Sequence, residues 1–379
     1  MKSRFNFPTR ILFGQGVIQD LAAEVESQGG RRPLLVTDSG LMKTDIPKRL
    51  EKILKDGGLE TALFSDVSPN PTGEQVDAGA AAFSKHQADS IVAVGGGSPL
   101  DAGKAIQIRI NHQEPLEVYD DLLGGDAKIT GELPPLIAVP TTAGTGSEVS
   151  RSAVITVASV DRKVVLFSPR LMPGVAVCDP ELTYKLPARI TAETGMDALS
   201  HNLEAYLSKG YHPMADSIAM LGICMVVDNL PVAVANGRDE KARQEMMMAS
   251  TMGAVAFQKG LGVIHSLAHP LSSVAGVSHG LANAIMMPHA LRFNAETAPD
   301  RVADVAPALG TDDVSGEGAA RAVLELSRQI GLPTRLSEAG VTRDMIPKLT
   351  EKAMQDGCHT CNPRKCQAED MESLFMAAL

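Results

Sequence analysis

The sequence predicts an α/β domain built on a doubly wound parallel sheet, spanning residues 1–184, followed by an all-helical domain spanning residues 185–379. Three observations lead there. Short β-branched apolar runs alternate with helix-like stretches in the first half of the chain. After the proline-bearing stretch Pro180–Pro187 the texture changes, and from about Thr191 onward helix-length segments rich in Ala, Met and Leu replace the strand-like runs. The length, 379 residues, accommodates two cores.

In chain order, "RPLLVTD" (32–38), "ADSIVAVGGG" (88–97) and "PLIAVPTT" (135–142) read as buried strands of a parallel sheet. Between them "IPKRLEKILKDGG" (46–58) has helical periodicity and stops on glycines, and "TGEQVDAGAAAFSKHQ" (72–87) is a second helix. "ETGMDALSHNLEAYLS" (193–208) reads as a helix of the second domain. A cleft between two such domains is the expected place for a ligand.

Bulk properties narrow the function. The hydrophobic fraction of 44% is that of a globular protein. A formal net charge of −10 argues against a nucleic-acid partner, which favours a basic face. No apolar stretch is expected to reach the roughly 20 residues of a membrane span. "MKSRFNFPTRILFGQG" lacks the apolar core of a secretory signal, so a cytoplasmic location is expected. Five cysteines make no disulfide framework. Cys358 and Cys361 form a C-x-x-C with Cys366 nearby, but no second spaced pair completes a zinc knuckle, and reduced thiols without metal are expected.

"SIVAVGGGSPLDAGKAI" (90–106) is a strand, a glycine run and a helix. Gly95, Gly96 and Gly97 let backbone approach a bulky anion, Ser98 is placed to cap the helix, and the helix N-terminus offers free N–H groups to a phosphate. A tight strand-to-helix turn accounts for the same glycines. The pattern is neither G-x-G-x-x-G nor a Walker loop. Thr141, Thr142 and Thr145 form a second polar loop after the next strand, and two such loops favour a dinucleotide. Asp38 ends an earlier strand, where its carboxylate suits a ribose diol and repels a 2′-phosphate, favouring NAD over NADP; a turn residue is the alternative.

Asp197 and His201 lie four apart on one helix face, and His265 and His269 repeat that spacing in "GVIHSLAHPLSSVAGVSHG", with His279 following. One carboxylate with several imidazoles suits a divalent transition metal; satisfied core histidines are the alternative. "HSLAH" is not the H-E-x-x-H of zinc proteases, because Ser266 stands where Glu is needed. His86, His112, His212, His289 and His359 have no paired spacing and are read as surface or structural.

Taken together, "GGGSPLDAGKAI", "PTTAGTGSE", "GMDALSH" and "HSLAHPL…HG", in this order, resemble the iron-dependent (group III) alcohol dehydrogenase family along nearly the whole chain, from "FPTRILFGQG" to "NPR" (362–364). The resemblance implies a Rossmann-like nucleotide-binding domain and a helical metal domain of dehydroquinate synthase-like architecture. It implies metal ligands at Asp197, His201, His265 and His279. His269 matches a histidine near metal and nicotinamide that does not usually ligate, and is expected to relay protons or orient the nicotinamide. Gly97 and Ser98 fall on the pyrophosphate loop. Asp38, Thr141, Thr142, Thr145 and Lys163 match cofactor contacts, and Asp101, one turn into the helix, is counted with them. "FNFPTRILFGQG" resembles a segment that pairs across a homodimer.

The resemblance therefore implies a metal-dependent, NAD-linked alcohol dehydrogenase or aldehyde reductase for small substrates, with Fe²⁺ expected on ligand hardness and Zn²⁺ as its rival by the Irving–Williams order. The pocket departs from the pattern at Arg151 and in "AFQKGLG". There Phe257 and Lys259 precede the histidines. Arg151 or Lys259 as a carboxylate anchor makes the substrate a hydroxy acid or semialdehyde; structural pairing of both is the alternative. Also open are a lyase or cyclase of the dehydroquinate synthase type, which uses NAD transiently, and a non-enzymatic nucleotide-binding protein. A hydrolase is disfavoured, since no catalytic Glu or Ser elbow accompanies the histidines.

Overall fold

The structure, a computed structural model, describes residues 7, 10–160 and 162–379. These form two compact units. One comprises residues 10–142 and the described residues of 146–183; the other comprises Phe7, residues 143–145 and residues 184–379.

In the first unit, strands β1 (Arg10–Phe13), β2 (Pro33–Val36), β3 (Ala62–Phe64), β4 (Ser90–Gly95) and β5 (Leu136–Pro140) alternate with helices α1 (Leu21–Ser27), α2 (Ile46–Asp56), α3 (Gly73–His86) and α4 (Gly97–Asn111). An antiparallel pair, β6 (Ser152–Val157) and β7 (Arg162–Phe167), and a last strand, β8 (Val175–Cys178), complete it. The main sheet runs β1-β8-β5-β4-β2-β3, every pair parallel. Its strands read as continuous apolar runs because both faces are covered. Leu34, Val36, Ile91, Ala93, Leu136 and Ala138 join Phe83 of α3 and Ile106 of α4 in one core. The alternate residues Leu35, Val92, Val94, Ile137 and Val139 join Leu21 of α1 and Leu50 of α2 in the other.

The chain leaves β2 for β3 on one side and returns to place β4 on the other. The carboxyl ends of β2 and β4 thus flank the point where strand order reverses, where open α/β sheets bind ligands. Asp38 follows β2 and the glycine run ends β4.

β1 and β3 contain no fully buried residue and so leave no continuous apolar run, and the sequence pattern does not single out β8 although, like β2, it is four buried residues. The same holds for the β6–β7 hairpin, whose strands alternate buried and half-buried residues instead of forming a continuous apolar run. Of the segment expected to pair across a dimer, Phe5, Asn6, Pro8 and Thr9 lie outside the described residues, while Arg10–Phe13 pair with β8 of their own sheet.

The second unit holds α5 (Ala188–Leu207), α6 (Pro213–Ala235), α7 (Glu240–Ala256), α8 (Val263–Ala275), α9 (His279–Ala295), α10 (Pro299–Val305), α11 (Gly316–Gln329), α12 (Ile346–Gln355) and α13 (Ala368–Ala378). α5 is its central helix, buried along most of its length. Its neighbours come close because they present glycines. A Cβ on Gly222 of α6 would stand 2.1 Å from Asn202 Oδ1, and one on Gly253 of α7 2.7 Å from Asn202 Nδ2. That amide donates to Ala198 O and Ala249 O, tying α5 to α7.

By length and composition α6 is apolar enough to cross a membrane, which corrects the expectation that no stretch reaches that length. It carries Asp216 and Asp228 and packs against α5 and α7.

Candidate metal centre and cofactor loop

Helical spacing brings Asp197 and His201 to one face of α5, and His265 and His269 to one face of α8. α8 ends in Gly276 in the left-handed conformation (φ +69°), and the next helix opens on His279. The three segments converge on one carboxylate oxygen. Asp197 Oδ1 lies 3.8 Å from His201 Nε2, 3.9 Å from His265 Nε2 and 3.3 Å from His279 Nε2. Ligands about 2.1 Å from a tetrahedral ion stand about 3.4 Å apart. Asp197, His265 and His279 bring ligand atoms within 4.8 Å of one another, a trio able to hold a cation, whereas His201 falls outside that trio and approaches it through Asp197 Oδ1.

The far sides of two of the rings support that reading. His201 Nδ1 lies 3.2 Å from Gly144 O, a carbonyl that can only accept, so the proton sits on Nδ1 and Nε2 keeps its lone pair. His265 Nδ1 is 2.6 Å from Glu204 Oε2, while its Nε2 is buried with no hydrogen-bond partner. An orphaned buried nitrogen is costly unless something else occupies the site, and a metal ion would satisfy it.

Electrostatics agrees. Burial pushes His201, His265 and His279 below the usual imidazole value, the neutral form that ligates. For Asp197, burial pulls upward, but His201, His279 and His265 outweigh it and hold the carboxyl well below the carboxylate range. Burial raises Glu204 to about 7, opposed by the backbone N–H groups of Ile264, Gly262 and His265. Asn283 Nδ2 donates to Asp197 Oδ1 at 2.8 Å and lies 3.2 Å from His279 Nε2.

His269 stacks on His279, ring centroids 5.3 Å apart, and its Nδ1 pairs with Asp356 Oδ2 at 2.7 Å. His269, Asp356 and Cys358 also bring ligand atoms within 4.8 Å of one another. Asp356 already accepts three hydrogen bonds there, and burial drives the Cys358 thiol well above its ordinary pKa, so the trio is a poor metal ligand set.

In the first unit the glycine run turns sharply. Gly95 has φ +145°, and a Cβ there would stand 2.6 Å from Pro99 Cγ and 3.2 Å from Asp38 Oδ2. Thr141 N donates to Gly95 O at 2.9 Å, which holds the threonine loop against the glycine loop. Thr142 faces Gly96, 3.4 Å from where its Cβ would be. Asp38 Oδ1 accepts from the N–H groups of Gly40 and Leu41, so the turn role and a position beside the glycine loop coexist in one residue.

Residues 8–180 match the family described as iron-containing alcohol dehydrogenase, and residues 191–379 match the C-terminal domain of the Fe-containing alcohol dehydrogenase family. The chain belongs to the iron-containing alcohol dehydrogenase family. It is 43% identical to a 4-hydroxybutyrate dehydrogenase of Cupriavidus necator and 39% identical to a 1,3-propanediol dehydrogenase of Klebsiella pneumoniae, with 97% or more of each chain covered. A solved 1,3-propanediol oxidoreductase superposes with a TM-score of 0.95 at 39% identity, covering 100% of both chains. This dehydrogenase is an NAD-linked oxidoreductase acting on alcohols, and its fold is that of its family.

Several expectations for the dehydrogenase need correction. Ser98 does not cap α4: the helix begins one residue earlier, and the Ser98 hydroxyl donates to Pro69 O. Asp101 is held inside its own domain, Oδ1 accepting from Ser147 Oγ and Oδ2 from Val154 N, so it shapes the loop before β6 rather than presenting a free carboxylate. Beside it Lys104, pushed down to about 8 by burial, donates to Ser147 and Ser152. Lys163, on β7, also has its pKa lowered by burial, with Asp101 pulling upward. Thr145 belongs with the helical unit, next to the Gly144 carbonyl that meets His201.

Lys259 is not free to anchor a substrate, since its buried ammonium pairs with Asp216 and donates to Tyr206 O. Arg151 lies over the Phe167 ring, 5.0 Å from the centroid. Phe257 meets the His201 ring edge-on at 5.1 Å. Among the unpaired histidines, His112 and His212 serve as structural acceptors, for Thr130 N and Ala215 N. Spacing missed Glu204, Asn283, Gly144 and Asp356. A faint signal existed for Glu204 alone, one helical turn beyond His201.

Proposed function

We propose that this dehydrogenase interconverts small primary alcohols and aldehydes using NAD and a divalent cation, Fe²⁺ first, held by Asp197, His201, His265 and His279. One observation carries the reading: the Nε2 atoms of three imidazoles lie within 3.9 Å of one carboxylate oxygen, and one of them is buried without a partner. A cation bound there supplies Lewis acidity to the substrate oxygen, and the nicotinamide supplies the hydride acceptor or donor.

The chain's own residues do the rest. Glu204 and the Gly144 carbonyl orient His265 and His201 from behind. The loops at Gly95–Gly97 and Thr141–Thr142 offer backbone N–H groups and hydroxyls to a pyrophosphate, and Asp38 to a ribose diol. His269 accepts or returns the alcohol proton. The test is an anaerobic NAD-reduction screen over small alcohols with Fe²⁺ and Zn²⁺ supplied separately. Turnover with neither metal defeats the proposal. Net NADH formation from an alcohol separates it from a dehydroquinate synthase type of reaction, which regenerates its NAD.

A hydroxy acid or semialdehyde substrate is a second reading, favoured by the 43% identity to a relative named for 4-hydroxybutyrate, with Arg151 as the remaining anchor. Arg151→Ala then lowers kcat/KM for succinic semialdehyde at least tenfold relative to butanal. An unchanged ratio excludes Arg151. A cytoplasmic homo-oligomer completes the proposal, and light scattering of the purified protein tests the assembly.

A further inference from the structure

The Asp356 carboxylate is surrounded by donors of fixed polarity. Oδ1 accepts from the Cys358 backbone N–H at 2.8 Å and lies 2.7 Å from Ser266 Oγ. That hydroxyl already accepts from the His359 backbone N–H at 2.8 Å, so its single proton points to Asp356. Oδ2 faces His269 Nδ1, at 2.7 Å, and the Cys358 thiol is a further donor to the carboxylate. A carboxylate has no proton to give, so the imidazole must donate from Nδ1, and in the neutral ring Nε2 carries the lone pair.

We infer that Asp356 is a positioning residue that fixes His269 as the Nδ1–H tautomer and presents Nε2 as the atom that takes the alcohol proton. The inference rests on the proposed dehydrogenase reading for its kinetic consequence, but not for the tautomer itself. Ser266, one residue past the candidate ligand His265, and the turn at Asp356–His359 hold the carboxylate in place, so the ring's polarity is set by contacts made 87 to 93 residues away in sequence. The setting also explains why His269, one helical turn beyond His265, differs from it in role: its ring lies at a solvent-accessible edge of the site, 27% exposed against 2% for His265.

Asp356→Asn inverts this polarity with no change of shape. The Cys358 N–H cannot turn, so the asparagine oxygen must occupy the Oδ1 position and its NH₂ must face His269. The ring then accepts at Nδ1, and the proton moves to Nε2, where it blocks proton uptake. The experiment records ¹⁵N chemical shifts of histidine-labelled, Zn²⁺-loaded full-length protein, with His269 assigned from a His269→Gln sample, alongside kcat and KM at saturating NAD.

The expected wild-type ring has its hydrogen on Nδ1, and the Asp356→Asn variant has it on Nε2, with kcat down at least tenfold and KM for the alcohol within about twofold. A wild-type ring protonated on Nε2 overturns the inference with no variant needed, as does an Asp356→Asn spectrum in which the tautomer is unchanged. Asp356→Ala, which removes the acceptor without imposing a donor, loses less kcat than Asp356→Asn; the reverse order points to mere structural loss and also overturns it. If the wild-type enzyme reduces no NAD with any alcohol while the tautomers behave as stated, it is the dehydrogenase reading that fails.

Discussion

Oε2 of Glu204 lies 2.6 Å from Nδ1 of His265, and the opposite nitrogen of that ring is buried with nothing to bond. The pair is a carboxylate–histidine unit of the kind that would orient the ring toward the proposed metal. Glu204→Gln keeps the acceptor that Ile264 N needs, at 2.5 Å, and turns an NH₂ toward His265. The imidazole then carries its proton on the ligating side. Loss of such a supporting carboxylate weakens metal binding about ten- to a hundredfold. Competition with a chromophoric chelator measures the Zn²⁺ Kd, and an unchanged value rules out the supporting role.

Gly280 meets backbone where any side chain would sit. A Cβ there would lie 2.0 Å from Glu193 O, in the helix that carries Asp197. A carbonyl oxygen inside a helix cannot step aside. Gly280→Ala therefore pushes the start of α9, and with it His279, away from Asp197. The expected cost is about 1–3 kcal/mol, seen as a lower urea midpoint, together with a raised metal Kd. Substitution with neither effect shows that α9 can shift without moving its histidine.

How much of this was legible in the sequence depended on the range of each interaction. β2, β4 and β5 were legible because a sheet covered on both faces leaves uninterrupted apolar runs, whereas β1 buries none of its residues fully and leaves no such run; β8, four buried residues as in β2, has no structural reason for being less legible. The grouping of Asp197 with His201 and of His265 with His269 was legible because i, i+4 spacing is local, whereas His279 lies outside that spacing and entered the expected ligand set through the family resemblance. What orients these side chains is not local: Glu204 reaches His265 from 61 residues away and Asp356 reaches His269 from 87, and nothing short of the packed helices pairs them. Lys259 shows the opposite failure. A lysine near the histidines suggests a substrate anchor, but Asp216, 43 residues earlier, neutralises it in the interior.

Asp38 sits beside Gly95 at the carboxyl end of β2, and on the proposed reading its charge faces the ribose 2′ substituent of the cofactor. Asp38→Asn keeps an oxygen for the N–H groups of Gly40 and Leu41, so the turn survives, but it removes the repulsion of a 2′-phosphate. The ratio of kcat/KM for NADP to that for NAD should rise at least tenfold. Steady-state kinetics with both cofactors decides it, and a constant ratio means another residue discriminates.

His289, on α9, has its pKa pushed down to about 4 by burial, with Arg292 adding repulsion of the charged form. In the unfolded chain it titrates near 6.5. Between these values the unfolded state binds the extra proton, so folding stability from this residue is fully present above about pH 6.5 and is lost as pH falls toward 4. From pH 7 to pH 5 the loss is about 2 kcal/mol. His289→Gln has no proton to bind in either state and so loses that much less stability over the same interval, whatever its stability at pH 7. Urea unfolding of the two proteins at pH 7 and pH 5 gives the four free energies required. Equal losses in both would mean that the buried ring is protonated as readily in the fold as outside it, and that the acid sensitivity of this domain arises from other groups.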